Sequence, residues 1–173
     1  MRMCIVAPPG SAEEVATRAI KQRRQLLGDK GRSDKSEQMP LEQRKDELAQ
    51  QLVEQGMPEK QAKEFAVEAV TRHIKIIFQE ADVPGAVIFD VKSMAGTIIV
   101  LLNSRHPASK DLFELLRESN SETDTPACKA LKLLLSAWGR LEDEASPQRR
   151  QQLEDIRSDW GRIARDFLQA ASE

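Results

Sequence analysis

Tyrosine is absent from this sequence, and aromatic residues of any kind are few. They make up 4% of the 173 residues, so the core must be built mainly from aliphatic side chains. The two cysteines, Cys4 and Cys128, stand far apart and form no CxxC pair, which argues against a disulfide framework and against structural zinc. No apolar stretch approaches the roughly 20 residues of a membrane span. We expect no membrane association and a location in the reducing cytoplasm.

A strong net charge is also lacking. The chain carries 26 Lys/Arg against 28 Asp/Glu, so no overall field attracts nucleic acid or acidic membranes. The first 35 residues are nevertheless locally basic, with eight Lys/Arg against four Asp/Glu. Four basic residues fall within two helical turns there: Arg18, Lys21, Arg23 and Arg24. They are candidates for binding nucleic acid or an acidic partner, although a solvated helix face shows the same pattern.

Signatures of the common enzyme classes are missing too. The segment GDKGRSDKS, residues 28–36, holds glycines, lysines and serines without the G-x-x-x-x-G-K-[ST] spacing of a phosphate-binding loop. No G-x-S-x-G nucleophile motif occurs, and neither cysteine has a neighbouring base in the sequence. The sequence therefore predicts no cofactor and no metal site.

What is present begins with a helix signal. Ser11 and Glu14 have the spacing of a capping box and Gly28 supplies a stop, which predicts a helix between them. A short apolar piece over 3–7 predicts a strand before it. Residues 28–40 are polar and rich in Gly, Ser and Lys, so we expect a flexible linker with nothing to bury. The chain is thus expected to divide into 1–27, the linker 28–40, and an α+β domain over 41–173.

The centre of the chain changes from helical to strand periodicity. Helical spacing predicts a helical hairpin, with one helix over 41–55 and a second starting at Pro58. Three strands are then predicted at 73–79, 86–92 and 97–103, joined by short turns into an antiparallel sheet. The third strand is almost entirely apolar, which favours a central position covered on both faces.

Three helices are predicted after the sheet. Pro107 opens the first, which runs to about Glu118 with Leu112, Leu115 and Leu116 inward. Thr125-Pro126 and Ser146-Pro147 each start a longer helix, and the short connection predicts an antiparallel pair with both Trp-bearing faces on the core. The two predicted apolar stripes are Cys128, Leu131, Leu134, Leu135, Trp138 and Leu141, and Leu153, Ile156, Trp160, Ile163 and Phe167. The sequence therefore predicts an α+β fold, with a small sheet between a helical hairpin and a long helix pair.

A polar cluster follows the predicted central strand. Asn103, Arg105 and His106 fall at a strand-to-helix junction, where catalytic residues often occur. In an enzyme of unrecognised type, Arg105 would hold an anion and His106 would transfer a proton. A structural role, with His106 capping the helix that Pro107 opens, explains the same residues.

The sequence PGAVIFDVKSMAGTIIVLLNSRHP, residues 84–107, resembles a segment of bacterial proteins that carry a GHKL-type ATPase domain. That domain is the nucleotide-binding fold shared by histidine kinases, DNA gyrase B, Hsp90 and MutL, and the segment lies after it in the chain. The likeness covers most of 40–168 and includes the ending SDWGRIARDFL. The positions that carry it most clearly are Phe89, Asp90, Val91, Gly96, Thr97, Ile98, Ile99, Val100, Asn103, His106 and Pro107.

The resemblance implies a function without nucleotide chemistry. GHKL sites need a Glu-x-x-x-Asn helix, an Asp-x-Gly-x-Gly turn and a Gly-rich lid, and this chain has none of these motifs. The resemblance therefore implies a non-catalytic coupling or dimerisation module, and its partner would be a GHKL ATPase domain or a second copy of the chain. A nucleic-acid adaptor acting through residues 18–24 and an enzyme using Asn103, Arg105 and His106 are the alternatives.

Overall fold

The computed structural model describes residues 6–118 and 125–173, with the backbone alone for Phe113 and residues 115–118. The helices are α1 (Ala12–Leu27), α2 (Arg32–Ser36), α3 (Leu41–Glu54), α4 (Glu59–Thr71), α5 (Ala108–Glu118), α6 (Pro126–Glu144) and α7 (Pro147–Ala171). The strands are β1 (Ile76–Ala81), β2 (Phe89–Met94) and β3 (Thr97–Asn103). The predicted α+β class is confirmed. Across the described ranges, no helix combines the length and the apolar character needed to cross a membrane.

Local capping signals place the helix starts where the sequence predicts them. The Ser11 hydroxyl accepts a hydrogen bond from the Glu14 N–H at the start of α1, and Thr125 and Ser146 do the same for α6 and α7. Gly28, at a φ of 84°, ends α1. Most of the strand predicted over 3–7, together with the inward positions of Leu115 and Leu116, lies outside the described residues.

The sheet is mixed, with the order β1-β3-β2. Strand β3 is central and all seven of its residues are buried, as its composition predicts. It pairs antiparallel with β2 and parallel with β1, so the prediction of an antiparallel sheet is wrong for β1. A strand that is apolar on both faces is best buried between two neighbours, and β3 therefore inserts between the two strands that precede it.

The β2–β3 turn determines the register of this hairpin. Ala95 and Gly96 both have positive φ, 52° and 78°, which is the pattern of the two-residue turns that suit hairpin twist. Met94 consequently faces Thr97, and β2 extends back only to Phe89. Strands β1 and β2 thus lie two to three residues closer to the C-terminus than the ranges 73–79 and 86–92 that the sequence predicts. The predicted range 97–103 is confirmed for β3.

Helices cover both faces of the sheet. On one face Ile77, Ile99 and Leu101 pack with Leu48 and Leu52 of α3 and with residues of α4. On the other face the opposite side chains of β1 and β3 pack with α1 and α6. A Cβ on Gly139 would lie 3.2 Å from Ile98 Cγ2, so the glycine lets α6 approach the sheet closely.

The segment predicted to be a flexible linker contains α2. Ser33 and Asp34, at its centre, are completely buried, so the expectation of nothing to bury is corrected. Two partners of these side chains, Asp143 for Ser33 and Arg140 for Asp34, lie on α6, more than 100 residues further along the chain. Local composition carries no information about such a contact.

The two predicted apolar stripes differ in how much of each is buried. In α6, Cys128 is buried and Trp138 packs edge-on against Phe89 at 6.5 Å between ring centroids, although Leu134 and Leu141 are exposed. In α7 only Leu153 of the predicted stripe is buried. The placement of Trp160 on the core is therefore wrong. Helix α7 buries Arg157 and Gly161 instead, because the arginine finds charged partners and the glycine allows close contact with the loop before β2.

Candidate functional site

Asn103, the first residue of the polar cluster, ends β3 and is completely buried. Its Oδ1 accepts hydrogen bonds from the N–H groups of Val83 at 3.3 Å and Arg105 at 3.1 Å. Its Nδ2 donates to the Val87 carbonyl at 2.7 Å. The side chain therefore ties the loop between β1 and β2 to the end of the central strand.

His106 is 1% exposed and uses both ring nitrogens. Its Nδ1 accepts a hydrogen bond from the Ala108 N–H at 3.1 Å, at the start of α5. The proton is then placed on Nε2, which donates to the Gly161 carbonyl of α7 at 2.8 Å. The imidazole caps one helix and holds a second one against it.

Arg105 differs from its two neighbours because its side chain is exposed. It forms an ion pair with Asp82, with 2.7 Å between Nη2 and Oδ2. Of the three candidate catalytic residues, Arg105 forms an ion pair on the surface. Asn103 and His106 are buried, and their polar atoms form hydrogen bonds within the fold. This geometry suits a structural junction between β3, α5 and α7.

The basic face of α1 is partly neutralised within the chain. Arg18 and Lys21 are exposed, but Arg23 forms two hydrogen bonds to Glu144, at 2.8 and 2.9 Å. Arg24 binds carboxylates of Asp29, Glu37 and Asp34. The hydrogen bond from Arg23 is the main reason why the pKa of Glu144 lies below its usual value. Two of the four basic residues are therefore already paired with carboxylates of this chain.

Sequence reasoning missed a cluster of charged side chains beneath α2, which we call the ion-pair cluster. It is balanced, with three cationic and three anionic groups, and most of its members are buried. The members are Arg24, Lys75, Arg140, Asp34, Glu37 and Asp143. Only the alternation of acids and bases in GDKGRSDKS pointed to it, and that pattern is equally typical of a solvated loop.

Arg140 of α6 lies at the centre of the ion-pair cluster. Its guanidinium donates to Asp34 at 2.7 and 3.1 Å and to Asp143 at 2.9 Å. Asp143 also accepts hydrogen bonds from the N–H and the hydroxyl of Ser33, at 2.9 and 2.6 Å. Burial opposes ionisation of Asp34, but hydrogen bonds from Arg140 and the Gly31 N–H outweigh it and hold the pKa of Asp34 below its usual value. Helix α2 is therefore fastened to α6 by paired charges.

Lys75, just before β1, completes the ion-pair cluster from the sheet side. It is fully buried, and its ammonium lies 3.1 Å from a Glu37 carboxylate oxygen and donates to the Gly96 carbonyl at 3.1 Å. Burial lowers the pKa of Lys75 despite the attraction of Glu37. The cluster thereby links α1, α2, α6 and the β2–β3 turn.

A second buried arginine anchors the first half of α7. Arg157 Nε and Nη2 donate to Glu142 of α6 at 2.7 and 3.0 Å, and Nη1 donates to the Phe89 carbonyl at 2.8 Å. Trp138 also donates to Glu142, at 2.5 Å. One turn further on, a Cβ on Gly161 would lie 2.1 Å from the Ala86 carbonyl oxygen. Helix α7 is therefore held against α6, β2 and the loop before β2 by its inner face.

A row of large apolar side chains runs along a different face of α7, and we call it the α7 stripe. The exposed fractions are 53% for Ile156, 53% for Trp160, 51% for Ile163 and 75% for Phe167. Sequence periodicity identifies these residues but places them on the core. Since Arg157 and Gly161 occupy the inner face of α7 and Leu153 is buried one turn before the stripe, the α7 stripe itself is left on the surface.

An open groove lies between α3 and α4. Its volume is about 510 Å³, and its lining combines Ala49, Val53 and Val67 with charged residues such as Glu54 and Lys63. Over the described residues, no group of three or more His, Cys, Asp or Glu side chains is arranged to hold a metal ion.

Comparison with known proteins adds no relative. No protein-family model, no curated protein and no solved structure matches this chain.

Proposed function

We propose that this chain is a non-catalytic coupling or protein-interaction module, of the kind that the GHKL resemblance implies, and that the α7 stripe is the surface it presents. The exposure of four large apolar side chains on one face of an anchored helix is the observation that carries the proposal. Single exposed apolar residues are normal on proteins, but a contiguous row of them marks a surface that is covered by a partner.

The anchoring of α7 supports a coupling role. A force on the α7 stripe would reach β2 and α6 through Arg157 and its partners Phe89 and Glu142. It would reach α5 through the hydrogen bond between Gly161 and His106. Coupling between sites needs packed elements of this kind that move together.

The alternatives receive less support from the same geometry. For the enzyme hypothesis, Asn103 and His106 are buried and their polar atoms are engaged within the fold. For the nucleic-acid hypothesis, Arg23 and Arg24 are paired with carboxylates, which leaves Arg18 and Lys21 to neutralise phosphates. A gel shift at low salt tests the second of these directly.

The decisive experiment combines two measurements on the purified chain. Titration with labelled ATP is expected to show no saturable binding in the micromolar range, and such binding would end the non-catalytic proposal. Sedimentation of the chain, alone and mixed with a GHKL ATPase domain, is expected to show association in at least one of the two samples.

A matched pair of variants identifies the surface. Ile163→Lys places a charge in the α7 stripe, whereas Leu134→Lys places one on an exposed leucine of α6. We expect the first variant to abolish association and the second to leave it intact. Association that is absent from both samples, or equally sensitive to both variants, contradicts the proposal.

A further inference from the structure

The spacing within the α7 stripe is that of a coiled coil. Ile156, Trp160, Ile163 and Phe167 follow one another at intervals of four, three and four residues. This alternation keeps one seam of a helix facing a partner helix and corresponds to the a and d positions of a heptad. Gly161 does not interrupt the seam, because it lies on the inner face of α7.

We propose that the α7 stripe pairs antiparallel with the α7 stripe of a second copy of this chain. This inference rests on the proposed function and names its partner. In the antiparallel register, Ile156 lies opposite Phe167 of the partner subunit and Trp160 lies opposite Ile163 of the partner subunit. The two-fold axis passes between Trp160 and Ile163, so one patch serves both copies.

Side-chain size selects the antiparallel direction. Antiparallel layers set a d position against an a position, so each aromatic ring meets an isoleucine in all four layers. A parallel pair sets identical positions against each other, so Trp160 meets Trp160 of the partner subunit and Phe167 meets Phe167 of the partner subunit. Two bulky pairs alternating with two isoleucine pairs would force uneven spacing between straight helices.

The anchoring of α7 also favours the antiparallel pair. Arg157 and Gly161 hold the first half of the helix against its own subunit, whereas almost every residue from 165 to 173 is exposed. An antiparallel pair lays this free half of each copy over the anchored half of the other. A parallel pair would bring the bodies of both subunits to the same end of the seam.

The apolar area is sufficient for a reversible dimer. A Trp or Phe side chain carries about 150–250 Å², and each member of the stripe is at least half exposed. The stripe therefore offers on the order of 500 Å² per subunit, or about 1,000 Å² for the pair, which is at the lower limit for a specific interface. We expect monomer and dimer to exchange at micromolar concentrations.

Charges beside the α7 stripe should make the stability of the dimer depend on salt concentration. Asp159 and Asp166 flank the seam on one side, and the antiparallel register brings Asp159 near Asp166 of the partner subunit. Arg162 lies between them along the helix and pairs with Asp159 at 2.9 Å, which offsets part of the repulsion. The dimer is therefore expected to tighten with added salt, and Asp166→Lys is expected to tighten it several-fold.

Cysteine cross-linking tests the partner and the direction together. In a background of Cys4→Ser and Cys128→Ala, the variants Ile156→Cys and Phe167→Cys are oxidised separately and as an equimolar mixture. Antiparallel pairing predicts a disulfide dimer only in the mixture. A mixture of Asp155→Cys, an exposed residue off the stripe, with Phe167→Cys is the control and is expected to stay monomeric.

Each other outcome overturns the inference. Disulfide dimers of each variant alone indicate a parallel pair. If the unmodified chain stays monomeric at concentrations 10-fold above the expected micromolar range, a second copy is not the partner. If Ile163→Lys still abolishes association with a GHKL ATPase domain in that case, this inference fails and the proposed function stands.

Discussion

Helix α2 and helix α7 are opposite exceptions to the rule that apolar residues are buried and charged residues exposed. The sequence around α2 is polar and charged, yet Ser33 and Asp34 are completely buried. The sequence of α7 carries a clear apolar stripe, yet Trp160 and Phe167 are more than half exposed. Burial thus depends on whether a partner surface exists within the chain. Asp34 has one in Arg140, whereas each side chain of the α7 stripe stays more than half exposed.

The two regions also differ in what a substitution should disturb. A buried ion pair loses most when one member is removed, because the other charge remains buried without compensation. A side chain that is exposed in the monomer contributes little to folding and shows its effect in association. Substitutions in the ion-pair cluster should therefore change the free energy of unfolding more than substitutions in the α7 stripe.

Arg140→Met should be the most destabilising of these changes. It removes the guanidinium that binds both Asp34 and Asp143 and leaves two buried carboxylates. We expect the free energy of unfolding to fall by about 3–5 kcal/mol, measured by urea denaturation. Arg149→Met, on an exposed arginine of α7, is the control and should change it by less than about 0.5 kcal/mol. Equal effects would mean that α2 is not fastened to α6.

Gly161→Ala should come next. The added methyl group would lie 2.1 Å from the Ala86 carbonyl oxygen and 2.9 Å from the Val87 Cα, so backbone must move. We expect a loss of about 1–3 kcal/mol in denaturation. Gly139→Ala is the matched helical glycine, because its new methyl group would meet the Ile98 side chain at 3.2 Å. Alanine has a better helix propensity than glycine, which offsets that contact in Gly139→Ala. If Gly139→Ala lost as much stability as Gly161→Ala, the close packing of α7 would be contradicted.

Acid should weaken the ion-pair cluster and so lower the free energy of unfolding. The pKa values of Asp34 and Glu37 are lowered from 3.8 and 4.5 in the folded protein. Groups with a lowered folded-state pKa add stability above their unfolded-state values, and that stability is lost as the pH falls through about 4.5 and below. Urea titrations at pH 7 and pH 3.5 should show this loss, and Asp34→Asn should reduce the pH dependence. An unchanged pH dependence in the variant would exclude Asp34 as a source.

Ile163→Ser should have the smallest effect on folding. The side chain is 51% exposed in the monomer, so we expect a change of less than about 0.5 kcal/mol in dilute solution. Leu153→Ala, on the buried face of the same helix, should cost about 2 kcal/mol or more. Similar costs for both would mean that the α7 stripe is covered within the chain, which would remove the contrast with α2.

The sequence predicts the parts of this fold that depend on near neighbours. Ser11, Thr125 and Ser146 each cap the N–H three residues ahead, so the helix starts are readable as motifs. The turn at Gly96 is readable in the same way, because the positive φ found there favours glycine. The composition of β3 correctly predicts its central position.

The candidate site was predictable only as a list of residues. Periodicity finds Ile156, Trp160, Ile163 and Phe167 as one face of a helix, but two faces of α7 carry apolar residues and periodicity does not rank them. The structure buries the face with Arg157 and Gly161. From the sequence alone, Arg157 is expected on the surface, because its partner Glu142 is not known. The two residues are 15 positions apart and lie on different helices.

Helix limits, hairpin turn, strand periodicity and α+β class follow from the amino-acid order, because each depends on contacts a few residues apart. The parallel pairing of β1 with β3, the burial of α2 and the exposure of the α7 stripe depend on which distant surfaces meet. Such meetings are decided by the balance of many long-range contacts, including charges that are costly to bury alone and stable when paired. That balance exists only in the assembled fold, where Arg140 meets Asp34 and Trp160 stays more than half exposed.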